Sequence, residues 1–271
     1  MNRFFFLCLC LASAFTGLRA QDQLVLNSAR LAVADTVWVF TPSDYLSGTA
    51  GTYPLVFLLH GWNGSYHQWN DITNCQALAD RYGFILVCPD GLTDSWYINS
   101  PALEKSRYAD FFFLDLVPLI TGKYRSDPEN VFITGLSMGG HGALYLFAQQ
   151  PGLFRSAGSL SGVLDLAYCW QEYRIADYLG IRNKRKGAAV LNSFSVTGNA
   201  GKIAASGKPI IFSCGSSDPF YSLNNRFREQ CDELGIPATY IVTPGGHDYA
   251  YWSSAIGFHL DFFAKNLAPR R

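Results

Sequence analysis

Six short, solidly apolar runs, at residues 55–59, 84–88, 131–134, 157–160, 210–213 and 239–242, alternate with longer stretches of helical period. A strand that is apolar at every position must be covered on both faces, and the helices that join parallel strands supply that cover. The helical stretches fall near 72–81, 106–121, 140–149, 224–234 and 251–266. The pattern predicts an α/β chain: a mostly parallel central sheet with helices on both faces. Residues 30–40 read as a strand or hairpin leading in, antiparallel to the rest. No Pro/Gly/Ser linker divides the alternation, so 21–271 reads as one domain. Only 178–207, rich in Gly, Ser, Asn and Lys, breaks the rhythm; it reads as a long loop able to cap the sheet as a lid. The basic run inside it, Arg182, Lys184, Arg185 and Lys186, reads as a solvated face.

The first twenty residues stand apart from this core. Asn2 and Arg3 precede an apolar run from Phe4 to Phe15, followed by Gly17, Leu18, Arg19 and Ala20. That is the layout of a secretory signal peptide, and the run is too short to span a bilayer. The expected destination is periplasmic or extracellular. With 49% hydrophobic and 15% charged residues the chain can bury a sizeable core, which excludes disordered and fibrous classes. Lys+Arg and Asp+Glu both total 21; removing Arg3 and Arg19 leaves 19 basic against 21 acidic residues, a net charge of −2. Such a balance gives no electrostatic basis for binding nucleic acid or an acidic membrane surface. Beyond residue 20 the cysteines are Cys75, Cys88, Cys169, Cys214 and Cys231. An odd number allows at most two bridges, no pair has zinc or redox spacing, and the plainest reading of several is as small core hydrophobes.

The chemistry concentrates in Gly135-Leu136-Ser137-Met138-Gly139, a G-x-S-x-G between the run 131–134 and the helical stretch 140–149. Strand, turn and helix in that order are the context of a nucleophile elbow, in which flanking glycines let the chain turn tightly enough to expose a serine hydroxyl. A serine hydroxyl needs a base and an orienting acid. Among five histidines, His247 lies in Pro244-Gly245-Gly246-His247-Asp248, a glycine-rich loop after the last strand candidate. His60 ends a strand, His67 and His141 read as making local hydrogen bonds, and His259 lies within the last helix. Asp218 follows strand 210–213, at the carboxyl end where the catalytic groups of open sheets gather. It is preferred over Asp165, which follows another strand, and over Asp248, which adjoins the histidine. Backbone N–H groups of Met138 and of Trp62, in His60-Gly61-Trp62-Asn63-Gly64, are placed to form an oxyanion hole. Trp62, Trp69, Trp96, Tyr97, Tyr249, Tyr251 and Trp252 could line a pocket or stack on sugars.

With these residues in view, the chain resembles the esterase branch of the α/β-hydrolase superfamily, which includes esterase D-like enzymes, tributyrin esterases, feruloyl and acetyl-xylan esterases and the mycolyltransferases. The resemblance spans most of residues 21–271 and rests on four stretches. They are Tyr53 to Gly61, Pro89-Asp90-Gly91 with Ser95-Trp96-Tyr97, Gly135 to Leu144, and Gly245-Gly246-His247 with Tyr251-Trp252. It implies an α/β-hydrolase fold with Ser137 as nucleophile, His247 as base, Asp218 as orienter and the Trp62 and Met138 amides as oxyanion hole, with no metal or organic cofactor. One local departure is Pro219, which restricts the backbone of Asp218. The expected activity is a serine carboxylesterase acting on short-chain or aromatic acyl esters, as small molecules or as acetyl or feruloyl groups on polysaccharides. An acyltransferase with the same triad and an idle glycan-binding protein on the same fold are the alternatives.

Overall fold

The computed structural model describes residues 21–47 and 51–269; the stretch 1–20, read from the sequence as a signal peptide, lies outside the described residues. Eight strands form one sheet: β1 (Gln21–Leu26), β2 (Asp35–Phe40), β3 (Tyr53–Leu59), β4 (Ile85–Pro89), β5 (Ser126–Gly135), β6 (Ser156–Leu160), β7 (Ile210–Gly215) and β8 (Ala238–Thr243). Their order is β1-β2-β4-β3-β5-β6-β7-β8. β2 pairs antiparallel with β1 and β4, and every pairing from β4 to β8 is parallel.

Each apolar run serves two cores at once. Along β3, Leu55, Phe57 and Leu59 join one cluster while Val56 and Leu58 join the other. This period-two division is why the run shows no polar alternation. The first face is covered by α3 (Tyr108–Phe111) with a π-helical turn (Phe112–Leu116) and α4 (Val117–Lys123), and by α5 (Met138–Gln149), α8 (Val196–Ser206) and α9 (Tyr221–Leu234). The second is covered by α1 (Gln68–Ile72), α2 (Cys75–Tyr82) and α10 (Tyr249–Lys265). Two short helices, α6 (Ile175–Tyr178) and α7 (Ala188–Phe194), connect β6 to α8. None of the helices among the described residues is long and apolar enough to cross a membrane.

The structure corrects four sequence expectations. The antiparallel lead-in is a hairpin of β1 and β2, and 27–34 is its connection. β1 opens on three polar residues, Gln21, Asp22 and Gln23, as the sheet edge allows, while apolar Leu31 packs into the core from that connection and bridges to Ser106. The stretch 72–81 divides into α1 and α2 at extended Thr73, where the Asn74 side chain accepts the Ala77 N–H and starts a new helix. The stretch 106–121 is interrupted by the π-helical turn. Most consequentially, 178–207 holds two helices, α7 and α8. Leu191, Val196, Ala200 and Ile203 bury an apolar face, and Gly198 approaches α7 so closely that a Cβ would stand 1.9 Å from Asn192 O. The glycine that reads as a loop residue is there for packing. The five cysteines are buried free thiols.

Buried ionisable groups set a pH dependence. His259 on α10 bridges the Thr134 and Ser213 hydroxyls at 2.9 and 3.0 Å, and His141 on α5 bonds the distant Phe194 carbonyl at 2.8 Å. Burial pushes His60 and His141 down to about 4 and His259 to about 3. Burial, with the neighbouring Asp90 charge, raises Asp35 to about 7. Below pH 6.5 the unfolded histidines take up protons that the folded ones refuse, so stability falls on acidification. Asp35 acts oppositely, because the folded state keeps a proton below pH 7 that the unfolded carboxyl binds only near 4. With three groups against one, stability falls by on the order of 3 kcal/mol from pH 8 to pH 5. Thermal unfolding should show the melting temperature dropping by roughly 5–10 °C over that range, and Asp35→Asn should steepen the fall.

Candidate active site

β5 brings Ser137 to the carboxyl edge of the sheet, where the chain turns into α5. Ser137 takes φ 54° and ψ −115°, a conformation that a non-glycine residue holds only when its surroundings impose it. They do so through the backbone. Leu136 N–H donates to Leu59 O at 3.1 Å and Ser137 N–H to Leu160 O at 2.8 Å. A Cβ on Gly139 would lie 2.3 Å from Leu59 O, so the start of α5 can approach β3 this closely only with glycine there. The hydroxyl stands at the N-terminus of α5, where peptide dipoles favour negative charge.

Two neighbouring loops supply the partners. The loop after β7 carries Asp218 and the loop after β8 carries His247. They are laced together by Ser216 N–H to Thr243 O and Ser217 N–H to Gly245 O, both 2.9 Å. His247 Nδ1 lies 2.9 Å from Asp218 Oδ2, and His247 Nε2 lies 2.9 Å from Ser137 Oγ. A carboxylate can only accept, so Nδ1 carries the proton and Nε2 turns its lone pair to the hydroxyl. The Asp218 side chain is fully buried, and its second oxygen accepts the Phe220 N–H at 2.8 Å. Pro219 thus leaves the carboxylate bonded through both oxygens. Phe220 and Trp252 meet the imidazole edge to face, with ring centroids at 5.0 and 4.9 Å, and hold its plane. The competing acids are occupied elsewhere: Asp165 accepts the Ala167 N–H and Asp248 accepts the Tyr251 N–H at the start of α10, each at 2.9 Å.

The loop after β3 faces the serine. Gly61 N–H donates to Gln68 Oε1 at 2.8 Å, Asn63 N–H to Thr93 O at 2.8 Å and Gly64 N–H to Gly61 O at 3.0 Å. Trp62 N–H has no partner among the described residues, and neither has Met138 N–H in the first turn of α5. Two uncommitted amides therefore flank Ser137. The peptide that carries Trp62 N–H is fixed through its carbonyl, because His60 Nδ1 donates to Gly61 O at 2.7 Å. Burial keeps the His60 ring neutral, its pKa pushed down to about 4. Tyr97 OH donates to His60 O at 3.0 Å from below.

A cavity of about 150 Å³ opens over Ser137 and His247, walled chiefly by Trp62, Trp96, Tyr173 and Trp252, with Gln68, Leu136 and Val163. Of the aromatics considered from sequence, Trp62, Trp96 and Trp252 line it; Trp69, Tyr97 and Tyr251 are buried, and Tyr249 is an exposed neighbour hydrogen-bonded to Gln68. Gln68, Val163 and Tyr173 were not legible as site residues. No motif surrounds them, and they reach the cavity only through tertiary structure. The Tyr173 segment is held in place by Trp96 Nε1 donating to Tyr173 O at 3.2 Å and by an Arg174–Asp94 ion pair at 2.7 Å. Trp96, Ser137 and Tyr173 all have φ between 50° and 54°. Such backbone costs of order 1–3 kcal/mol per residue and gathers at functional sites.

A sheet of this order, with a serine on a strained turn beneath two free amides, is the α/β-hydrolase fold of serine hydrolases. Residues 28–260 match the family described as "Putative esterase", and the chain belongs to it. Among curated relatives, S-formylglutathione hydrolase of Mus musculus is 26% identical, over 80% of this chain and 85% of its own. Feruloyl esterase B of Neurospora crassa is 29% identical over 56% of this chain and 52% of its own. Among solved structures, the fluorophosphonate-binding serine hydrolase F of Staphylococcus aureus superposes with a TM-score of 0.79 at 22% identity, over 90% of this chain and 98% of its own. The protein is a serine hydrolase of carboxylic ester bonds.

Proposed function

We propose that the protein is an exported carboxylesterase that removes short acyl groups through an acyl-enzyme on Ser137, with His247 as base, Asp218 as its orienter and the amides of Trp62 and Met138 as oxyanion hole. The carrying observation is the unbroken chain from Asp218 through His247 to Ser137, with both links at 2.9 Å, at the floor of an aromatic-walled cavity. His247 Nε2 takes the hydroxyl proton as Ser137 Oγ bonds the acyl carbon, and the carbonyl electron pair moves onto oxygen opposite the two amides. The bond to the alcohol breaks as His247 returns the proton to the departing oxygen. Water then enters by the same route, His247 taking and returning its proton, and the acid leaves with Ser137 restored.

Size selects the acyl group. A cavity of about 150 Å³ matches one that holds a single benzene ring, roughly 150 Å³. Acetyl to butyryl chains fit wholly inside; a mycolyl chain does not, which argues against a long-chain transferase. A feruloyl group would fit only with part of its length at the mouth, beside exposed Trp62. The names of the relatives span formyl, acetyl and feruloyl acyl groups. Export rests on the layout of residues 1–20 and favours esters met outside the cytosol, including acyl groups on polysaccharides.

Initial rates on para-nitrophenyl acetate, butyrate and octanoate and on methyl ferulate test the proposal, with Ser137→Ala as the blank. Acetate and butyrate should be turned over with kcat/KM at least about tenfold above octanoate, in line with ~1–3 kcal/mol per misfitted methylene. Rates equal to the blank on every ester, or a preference for octanoate, would overturn it.

A further inference from the structure

α1 begins at the cavity wall, and its first residue bonds to the loops on either side. Gln68 Oε1 accepts the Gly61 N–H at 2.8 Å, and Gln68 Nε2 donates to Tyr249 OH at 3.2 Å. The next residue, Trp69, anchors α1 to the sheet through Nε1 to Leu59 O at 2.9 Å. Gly61 is buried, so its N–H would be left unsatisfied without the glutamine, and it belongs to the peptide directly before the one that carries Trp62 N–H. Tyr249 follows His247 by two residues and opens α10. Gln68 is thus one side chain bonded both to the loop presenting an oxyanion donor and to the segment that follows the base. The carboxamide lies close against the Gly64 backbone, where a Cβ would stand 2.6 Å from Oε1, so a glycine there leaves it room.

We propose that Gln68 is a positioning residue for ester hydrolysis, holding Trp62 N–H against the developing oxyanion and tying that loop to the histidine loop through Tyr249. The inference rests on the proposed roles of Trp62 and His247. Its energetic logic is that an oxyanion donor acts on the transition state much more than on bound ester, so misplacing it lowers kcat and leaves KM nearly unchanged.

Gln68→Met keeps the length of the side chain and removes both hydrogen bonds, so it separates bonding from packing. With para-nitrophenyl acetate, Gln68→Met should lower kcat by ~10- to 50-fold with KM within about twofold, less than the loss of an oxyanion donor itself. Affinity for a trifluoromethyl ketone, whose serine adduct places an anionic oxygen between the amides, should fall by the same factor as kcat/KM. Tyr249→Phe removes only the second bond and should show the same pattern with a smaller loss, about three- to tenfold. Wild-type kcat in Gln68→Met, or a loss carried by KM with ketone affinity unchanged, would overturn the assignment of Gln68 while leaving the esterase reading intact. If Ser137→Ala retained turnover, the esterase reading itself would fail. Circular dichroism and thermal unfolding check that each variant is folded; should Gln68→Met not fold, Tyr249→Phe decides by the same kcat and ketone criteria.

Discussion

Ser137→Ala is expected to lower kcat on para-nitrophenyl acetate by about 10⁴- to 10⁶-fold while leaving the fold and ester binding close to wild type. The side chain removed is one oxygen atom at the floor of a cavity whose walls belong to other elements. The backbone that shapes the elbow is held by the Leu59 and Leu160 carbonyls, not by the hydroxyl. What remains, the two amides and the aromatic walls, can still stabilise a tetrahedral intermediate formed by water, so a small residual rate above the uncatalysed one should persist. Single-turnover measurements check this directly: the burst of para-nitrophenol that reports acyl-enzyme should vanish. A burst of full amplitude would place the nucleophile elsewhere.

Asp218→Asn is the second large effect, about 10³- to 10⁴-fold in kcat. An amide presents a donor where the carboxylate only accepts. Met by that donor, Nδ1 of His247 becomes the acceptor, the ring proton moves to Nε2, and the lone pair that should take the Ser137 proton is lost. Phe220 and Trp252 would still hold the ring in its present plane, so the defect is one of tautomer and not of placement. Asp165→Asn serves as the control and should retain activity within about threefold, since that carboxylate bonds Ala167 N–H and Ser195 away from the imidazole. Comparable losses in both variants would mean that Asp218 has no special role.

The two variants touch residues that were legible in the sequence, and the reason is physical. Ser137 and His247 sit in short glycine-marked turns whose backbone demands leave a trace in neighbouring residues, and Asp218 is marked by its place after a fully apolar strand. The sheet was legible for the same kind of reason, because strands covered on both faces carry few polar residues, and those they do carry, such as Thr134 and Ser213, are hydrogen-bonded inside. Tyr173 and Gln68 carry no such trace. Tyr173 reaches the cavity on a segment held by Trp96 and by the pairing of Arg174 with Asp94, and Gln68 through a bond to a backbone amide seven residues away. The helices α7 and α8 were hidden because Asn192, Ser193, Gly201 and Lys202 stand among their exposed positions, and because Gly198 belongs to a tight helix contact. Asp35 illustrates the limit most plainly. In sequence it is one acid within the lead-in stretch 30–40, and only the fold reveals that it accepts from Tyr108 OH at 3.1 Å inside the protein.

The five buried cysteines have a use of their own. Burial pushes the Cys169 and Cys231 thiols up to about 12 and raises Cys88 and Cys214 as well. Cys75 is wholly enclosed. In the native protein all five are buried away from an alkylating reagent or an oxidant, whereas an opened chain offers all of them. Uptake of iodoacetamide at these positions therefore keeps time for the molecule: each label records a visit to an open state, and the spread of labels between α2, β4, β7 and α9 distinguishes opening of the whole sheet from loosening at one of its edges.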